Sequence, residues 1–289
     1  MDPAHSGAAT PSPDAGDFAA IIRRQGYYPQ VPQLTPIAAQ LTPITAPWMP
    51  TAASSPPHAS AGVPQTQGTT ILAFKYADGV LVAGDRRATA GNVVVYDRAD
   101  KVLEIDADSL MAIAGVPATA WEMARVLEHS FQFYRRSQLQ EMSLDGKVRA
   151  LSKLLRDNLG LVLQGVGVVV PLFATYDRQA GVARLYFYDA MGAQFEAADY
   201  AATGSGSPAI RSILHYENTW GKKVLAKRKE SEAVILALRA LDTAAESDTA
   251  TGGVDRRGKV YPIVKLITHA GIRTLPEKDL ARIFNKEVR

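Results

Sequence analysis

The alternation of apolar and polar positions changes character at residue 69. From there, Thr70 to Tyr76 and Val80 to Ala83 are runs of β-forming residues around Asp78-Gly79, a dipeptide that favours a two-residue hairpin turn. A turn at that dipeptide sets Thr69 opposite Ala88 and Leu72 opposite Asp85, so the chain returns beside its own first strand residue. Strand patterns recur at Asn92 to Tyr96, Lys101 to Ile105 and Leu110 to Ala114, which makes five short strands before any helix. Ala118 to Arg135 then carries Trp121, Ala124, Leu127, Phe131 and Tyr134 at helical spacing, opposite Glu122, Arg125, His129 and Gln132.

A second helix is expected over Leu144 to Val162, followed by strands at Pro171 to Tyr176, Val182 to Asp189 and Gln194 to Ala198. Ile210 to Tyr216 and Glu230 to Ala245 read as helices, Val260 to Thr268 as a strand and Pro276 to Ile283 as a last short helix. Strands in a block, two helices, strands, then helices again describe an α+β chain with two stacked sheets covered by helices, not alternating βαβ units.

Before residue 69 no such periodicity exists. Of the 17 prolines, only Pro117, Pro171, Pro208, Pro262 and Pro276 fall in residues 69–289, and the rest crowd residues 1–68 with Ala, Ser, Thr and Gln. That composition buries too little apolar surface to offset the ordering of a backbone, so a disordered leader is expected ahead of a single globular unit. Two features interrupt it. Asp17 to Arg24 has an N-cap candidate, an apolar face and basic residues at its end, which predicts a short helix. Leu34-Thr35-Pro36-Ile37 is echoed by Leu41-Thr42-Pro43-Ile44, where proline favours extended structure.

Charge narrows the function classes. The net charge is +3, and the basic clusters Arg86-Arg87, Lys222-Lys223 and Lys227-Arg228-Lys229 lack the aromatic interleaving of a nucleic-acid surface. The chain has 0 cysteines, which removes disulfides, thiolate metal sites and a cysteine nucleophile together. His5, His58, His129, His215 and His269 show no ligand spacing, so neither a metal nor another cofactor is expected. The start Met1-Asp2-Pro3 has no signal-peptide pattern, and the most apolar stretch, Leu161 to Ala174, is interrupted by Gln164, Gly165, Gly167 and Pro171. A cytoplasmic protein with no membrane or nucleic-acid partner is the expectation.

Candidate chemistry gathers at the composition boundary. No GxSxG elbow is present, and Gly204-Ser205-Gly206-Ser207 fits neither that motif nor a phosphate loop. A threonine hydroxyl serves as nucleophile when its own free α-amine is the base, because that amine has a reference pKa of about 7.7 to 8.0. Such a base exists only at a chain terminus. Thr69 is internal, so it must first be released from Gly68, whose lack of a side chain leaves the scissile carbonyl uncrowded.

Thr69-Thr70-Ile71, Gly84-Asp85-Arg86-Arg87, Lys101-Val102, Ala114-Gly115, Gly204-Ser205-Gly206-Ser207 and Asp248 to Gly253, in this order and spacing, resemble the β subunit of a bacterial, actinobacterial-type 20S proteasome. The resemblance covers essentially all of residues 69–289, and Phe18 to Gln25 is similar to part of a bacterial proteasome propeptide. It implies the four-layer αββα sandwich of N-terminal nucleophile hydrolases. It further implies an autocleaved propeptide at 1–68 and a threonine endopeptidase domain at 69–289. The implied roles are Thr69 as nucleophile, Asp85 and Lys101 as its polar partners, and Gly115 as an oxyanion donor. Ser205, Asp248 and Thr251 would form a network around the amine, while Ala88, Thr89, Ala99, Ile113 and Pro117 would hold substrate.

No carboxylate is expected in that pocket, so cleavage after apolar residues is implied. Thr251 stands where the family usually has serine, and Pro117 stands where it commonly has alanine, a change that removes one backbone N–H. Implied partners are further β subunits in a homoheptameric ring, a ring of α subunits, a ring ATPase and unfolded protein substrates. An HslV-type peptidase shares the threonine start, but the long leader and Asp85-Arg86-Arg87 weigh against it. A noncatalytic ring subunit would be expected to lack one of Thr69, Asp85 or Lys101, and all three are present.

Overall fold

The computed structural model describes residues 69–91, 93–255 and 257–288. The helix expected at Asp17 to Arg24 and the extended echo at 34–44 lie outside the described residues.

Two five-stranded antiparallel sheets face each other. The first has the order β10-β1-β2-β11-β12, built from β1 (Thr70–Tyr76), β2 (Gly79–Gly84), β10 (Tyr200–Gly204), β11 (Ile263–Thr268) and β12 (Gly271–Thr274). The second has the order β5-β6-β7-β8-β9, from β5 (Val102–Asp106), β6 (Ser109–Ala112), β7 (Leu172–Asp177), β8 (Val182–Tyr188) and β9 (Gln194–Glu196). A separate hairpin pairs β3 (Ala88–Ala90) with β4 (Val93–Tyr96).

Alternation along β1 explains why the first sheet is covered on both faces. Ile71 and Ala73 point into the space between the sheets, against Val102, Leu110, Leu172 and Leu185. Leu72 and Phe74 point the other way, toward α4 (Ser207–Thr219) and α5 (Glu230–Ser247), where Ile210, Leu214, Val234 and Leu241 receive them. On the second sheet, Met111 and Phe173 pack outward against α1 (Pro117–Gln138) and α2 (Leu144–Asp157) through Leu127, Phe131, Leu151 and Leu155. The layers therefore run helix, sheet, sheet, helix, and a strand buried on both faces reads as a near-continuous apolar run. The chain closes with α6 (Glu277–Ile283) and a π-helical turn at Phe284–Val288.

The elements depart from the sequence expectation in identifiable ways. Ile71 pairs with Gly84 and Tyr76 with Gly79, so the hairpin turns at Ala77-Asp78 and the register differs by two residues from the one expected. A shift of two preserves which face each side chain occupies, so the core pattern survives it. Gly79 belongs to β2, where a Cβ would lie 1.8 Å from the Ile267 carbonyl oxygen of β11. Its glycine answers the neighbouring strand, not the turn. The expected helix over Leu144 to Val162 breaks at Asn158, whose side-chain amide donates to the Gly167 carbonyl at 2.6 Å, and α3 (Leu159–Leu163) follows.

On α1 the buried face runs through Ala120, Met123, Ala124, Leu127 and Phe131, and Trp121, expected in the core, is 41% exposed. Strands β3, β10 and β12 were not expected, because their short, small-residue sequences alternate too weakly. They exist through pairing, β10 with β1 and β12 with β11.

The Gly79 contact is directly testable. Gly79→Ala should lower stability by about 1–3 kcal/mol, because a backbone carbonyl cannot rotate away from the added methyl as a side chain does. Gly160→Ala, where nothing lies within 4 Å of the added carbon, should be neutral or slightly stabilising. Guanidinium unfolding of the two variants against wild type measures the contrast.

Candidate active site

Thr69 immediately precedes β1 and is only 3% exposed. Its carbonyl accepts the Ser205 N–H at 3.1 Å. The approach depends on Gly204, at φ +96, since a Cβ there would sit 1.9 Å from the Thr69 oxygen. On the other side, β2 is followed directly by Asp85, whose N–H donates to the Thr70 carbonyl at 3.1 Å. The Asp85 carboxylate returns the contact by accepting the Thr70 N–H at 2.8 Å. Thr69 is thus fixed through its own carbonyl and through its neighbour.

Asp85 is fully buried and saturated with donors. Oδ1 accepts Thr70 N–H and the Lys101 ammonium, the latter at 2.7 Å. Oδ2 accepts the N–H groups of Arg87 at 2.9 Å and Gly252 at 2.8 Å. Lys101, just ahead of β5, also donates to the Arg87 carbonyl. A buried ion pair is tolerable only when its remaining hydrogen-bonding capacity is met, and these backbone groups meet it. Burial pushes the Lys101 ammonium below the ordinary lysine range, while the Asp85 charge works in the opposite direction.

A second chain of hydrogen bonds approaches from α4 and α5. Ser205 Oγ donates to Asp248 Oδ2 at 2.6 Å, Thr251 Oγ1 donates to the same oxygen, and the Thr251 and Thr70 hydroxyls are 2.6 Å apart. The Gly206 N–H donates to Thr70 Oγ1 at 2.9 Å. Burial alone would raise the Asp248 carboxyl, but the donors Ser205, Thr251 and Ala250, with the Lys101 charge, outweigh it and hold the group below the usual carboxylate range. Thr251 is fully buried, so its methyl is accommodated within this network.

A cavity of about 250 Å3 opens beside Thr69. Lys101 and Gly115 line it, and so do four of the expected substrate residues, Ala88, Ala99, Ile113 and Pro117. Thr89 is buried in β3 and does not line it. Gly115 has φ +114 and lies so close to Val168 that a Cβ would meet its carbonyl at 2.0 Å. Pro117 opens α1 at its first turn, where the missing N–H would have had no helical partner.

Tyr96, Asp100, Ala118 and Trp121 also line the cavity and were not singled out from the sequence. Asp100 corrects the expectation that no carboxylate would do so, although its Oδ1 is occupied by the Val102 N–H at 3.0 Å. Thr70, Arg87 and Gly252 lie within the motifs quoted from the sequence but are assigned no role there, and the structure makes them site residues. The Arg87 guanidinium donates to the carbonyls of Thr249 and Thr251. Their signal in the sequence is membership of those motifs, since the groups they contribute to Asp85 are backbone N–H groups that no residue type reveals. Among the described residues, no cluster of three or more His, Asp or Glu is placed to hold a metal.

The two stacked sheets between helix layers, with a threonine at the head of a strand, define the class: the fold of the N-terminal nucleophile hydrolases. The Proteasome subunit family profile matches residues 65–259. Over 221 residues the chain is 41% identical to proteasome subunit beta 2 of Thermomonospora curvata, covering 76% of each chain. It is 40% identical to a proteasome subunit beta of Jonesia denitrificans, covering 74% of this chain and 68% of that one. A proteasome subunit beta of Streptomyces griseus is 37% identical over 76% of each. The chain belongs to the proteasome subunit family, as a bacterial β subunit of the 20S core. It is a hydrolase of the protease kind that assembles into rings with other subunits. No helix of the described residues is long and apolar enough to cross a membrane.

The lowered pKa of Asp248 fixes the sign of a pH effect. Its unfolded value is near 3.9, so the folded state gains stability from this group above about pH 4 and loses it as pH falls through the lower folded value. Asp248→Asn should therefore flatten the loss of stability below about pH 4 while leaving the slope near neutrality unchanged. Denaturant titrations at a series of acidic pH values measure that slope.

Proposed function

We propose that this β subunit is a threonine endopeptidase that releases its own nucleophile. The observation that carries the reading is the position of Thr69, which shares an apolar cavity with Lys101 while the Lys101 ammonium is locked onto buried Asp85. In the self-cleavage step, Thr69 Oγ attacks the Gly68 carbonyl carbon. The hydroxyl proton passes to the Thr69 nitrogen as the peptide bond breaks, and an ester remains. The acyl shift thus frees the Thr69 amine, and water then hydrolyses the ester, giving a Gly68 carboxylate and restoring the Thr69 hydroxyl, so that residues 1–68 leave as a propeptide.

The freed amine is then the base. It takes the hydroxyl proton as Oγ attacks a substrate carbonyl, and the cationic Lys101 favours the developing alkoxide. The Gly115 N–H serves the oxyanion, a donation worth about 3 kcal/mol in comparable sites. Proton transfer from the amine releases the new amino terminus, and water frees the acyl group. Ser205, Asp248 and Thr251 keep the amine in place through Thr70, the residue next to it. The largely apolar wall of the cavity favours an apolar side chain before the cut, and Pro117 removes one donor from the edge along which an extended substrate pairs. The working particle is a homoheptameric β ring stacked on an α ring and fed unfolded chains by a ring ATPase in the cytoplasm.

Intact mass after co-expression with the α subunit tests the first step. Wild type should begin at Thr69, whereas Thr69→Ala should retain residues 1–68. A wild-type particle that keeps its leader yet hydrolyses peptides overturns the terminal-threonine mechanism, and a Thr69→Ala chain still trimmed at that bond overturns self-cleavage. Lys101→Met should lower kcat/KM for peptides about 100- to 10,000-fold, measured by steady-state kinetics on assembled particles. Pro117→Ala, which restores the N–H, should lower KM with little change in kcat.

A further inference from the structure

Trp121 lines two cavities. One is the 250 Å3 space beside Thr69. The other, about 390 Å3, is lined by Leu103, Glu104, Ala124, Arg125, Glu128 and Lys265. Asp100 is the other residue common to both, and the two shared residues are joined, because the Trp121 indole N–H donates to the Asp100 carbonyl at 3.4 Å. That bond is longer than a normal N–H···O contact, so the indole is weakly tethered. The two spaces differ in chemistry. The reactive cavity is walled mainly by apolar groups, whereas the second carries the Lys265–Glu104 ion pair at 2.9 Å together with Arg125 and Glu128.

We propose that Trp121 is a partition that determines specificity: its indole stands between the reactive pocket and the second cavity and limits how far a side chain can reach from Thr69. The second cavity is a latent extension suited to large aromatic side chains that carry a polar atom, tyrosine and tryptophan. Joined, the two spaces would give a long aromatic side chain a path from the reactive cavity into the charged one. An aromatic body would meet the apolar wall, and its hydroxyl or ring N–H would reach the charged groups beyond. The inference rests on the peptidase reading above, with the side chain before the cut as the occupant of the cavity beside Thr69.

The test uses particles assembled with the α subunit and peptides identical except for leucine, tyrosine or tryptophan before the cleaved bond. Trp121→Ala should raise the tryptophan-to-leucine ratio of kcat/KM at least tenfold, a size effect within the reach of a single pocket wall. Trp121→Phe should give a smaller rise. Because the ratio is taken within one preparation, it does not depend on how much of a variant folds. Where Trp121→Ala does not assemble, Trp121→Leu is read by the same criterion. A ratio within twofold of wild type overturns the proposal. If wild type cleaves none of the peptides, it is the peptidase reading that fails. The partition is then decided by Kd values of product-like peptides ending in leucine or tryptophan, whose preference must shift toward tryptophan in the variant or the proposal falls.

Discussion

The site depends on one buried carboxylate. Asp85 lies in a fully enclosed position where an ionised group survives only if every acceptor position is met. The donors that meet it come from four separate stretches: Thr70 at the head of β1, Arg87 after β2, Lys101 ahead of β5 and Gly252 after α5. Lys101 leads into the second sheet, and the others belong to the first sheet and its helix layer. Satisfying one side chain therefore registers the two sheets and a distant loop against each other. Three of the four donors are backbone N–H groups that no rotamer change can replace. The geometry around Thr69 is consequently set by main-chain positions, which are harder to displace than side chains.

That demand explains the crowding. Gly252 must bring its N–H to Asp85, and a Cβ on it would come within 2.8 Å of the Arg87 Cβ. Gly204 must let β10 end against the Thr69 carbonyl. The glycines flanking Ser205 and following Thr251 thus have a structural cause that differs from the chemistry of the residues between them. Arg87 adds to the same assembly. Its N–H serves Asp85, its carbonyl receives Lys101, and its guanidinium holds the carbonyls of Thr249 and Thr251. One residue thereby ties the ion pair to the loop that carries the second network.

Much of the architecture was legible because apolar periodicity is a local property. The β1–β2 return to Thr69, both long helices on the second sheet and the α4–α5 pair follow from patterns within single segments. What escaped was decided by neighbours distant in sequence. Gly79 marks the start of a strand that pairs closely with β11, not a turn, so the hairpin register differs by two. Trp121 satisfies helical spacing as well as Ala120 does, yet it lies at the cavity rim, where its indole N–H reaches the Asp100 carbonyl. Strand β10 has two consecutive alanines and little alternation of its own, and its strand character is conferred by β1. The motif residues were legible through the resemblance, because spacing alone does not show that a lysine sixteen residues beyond an aspartate reaches it.

Thr70 is where the two networks meet. Its N–H is held by Asp85, which also holds Lys101, and its hydroxyl is held by Thr251 and Gly206, which lead to Asp248 and Ser205. Neither network needs a side-chain contact to Thr69 in order to fix it, since both clamp the peptide unit that follows. The division has a physical consequence. The ion pair holds an ammonium that burial pushes down and the Asp85 charge pushes back up, while the other network supplies a carboxylate held low by hydroxyl and backbone donors. Charges of opposite sign thus stand on the two sides of one short strand start. A group beside the Thr70 peptide would meet the Lys101 ammonium ahead of β5 and the Asp248 carboxylate after α5, an environment that discriminates between its protonated and neutral forms.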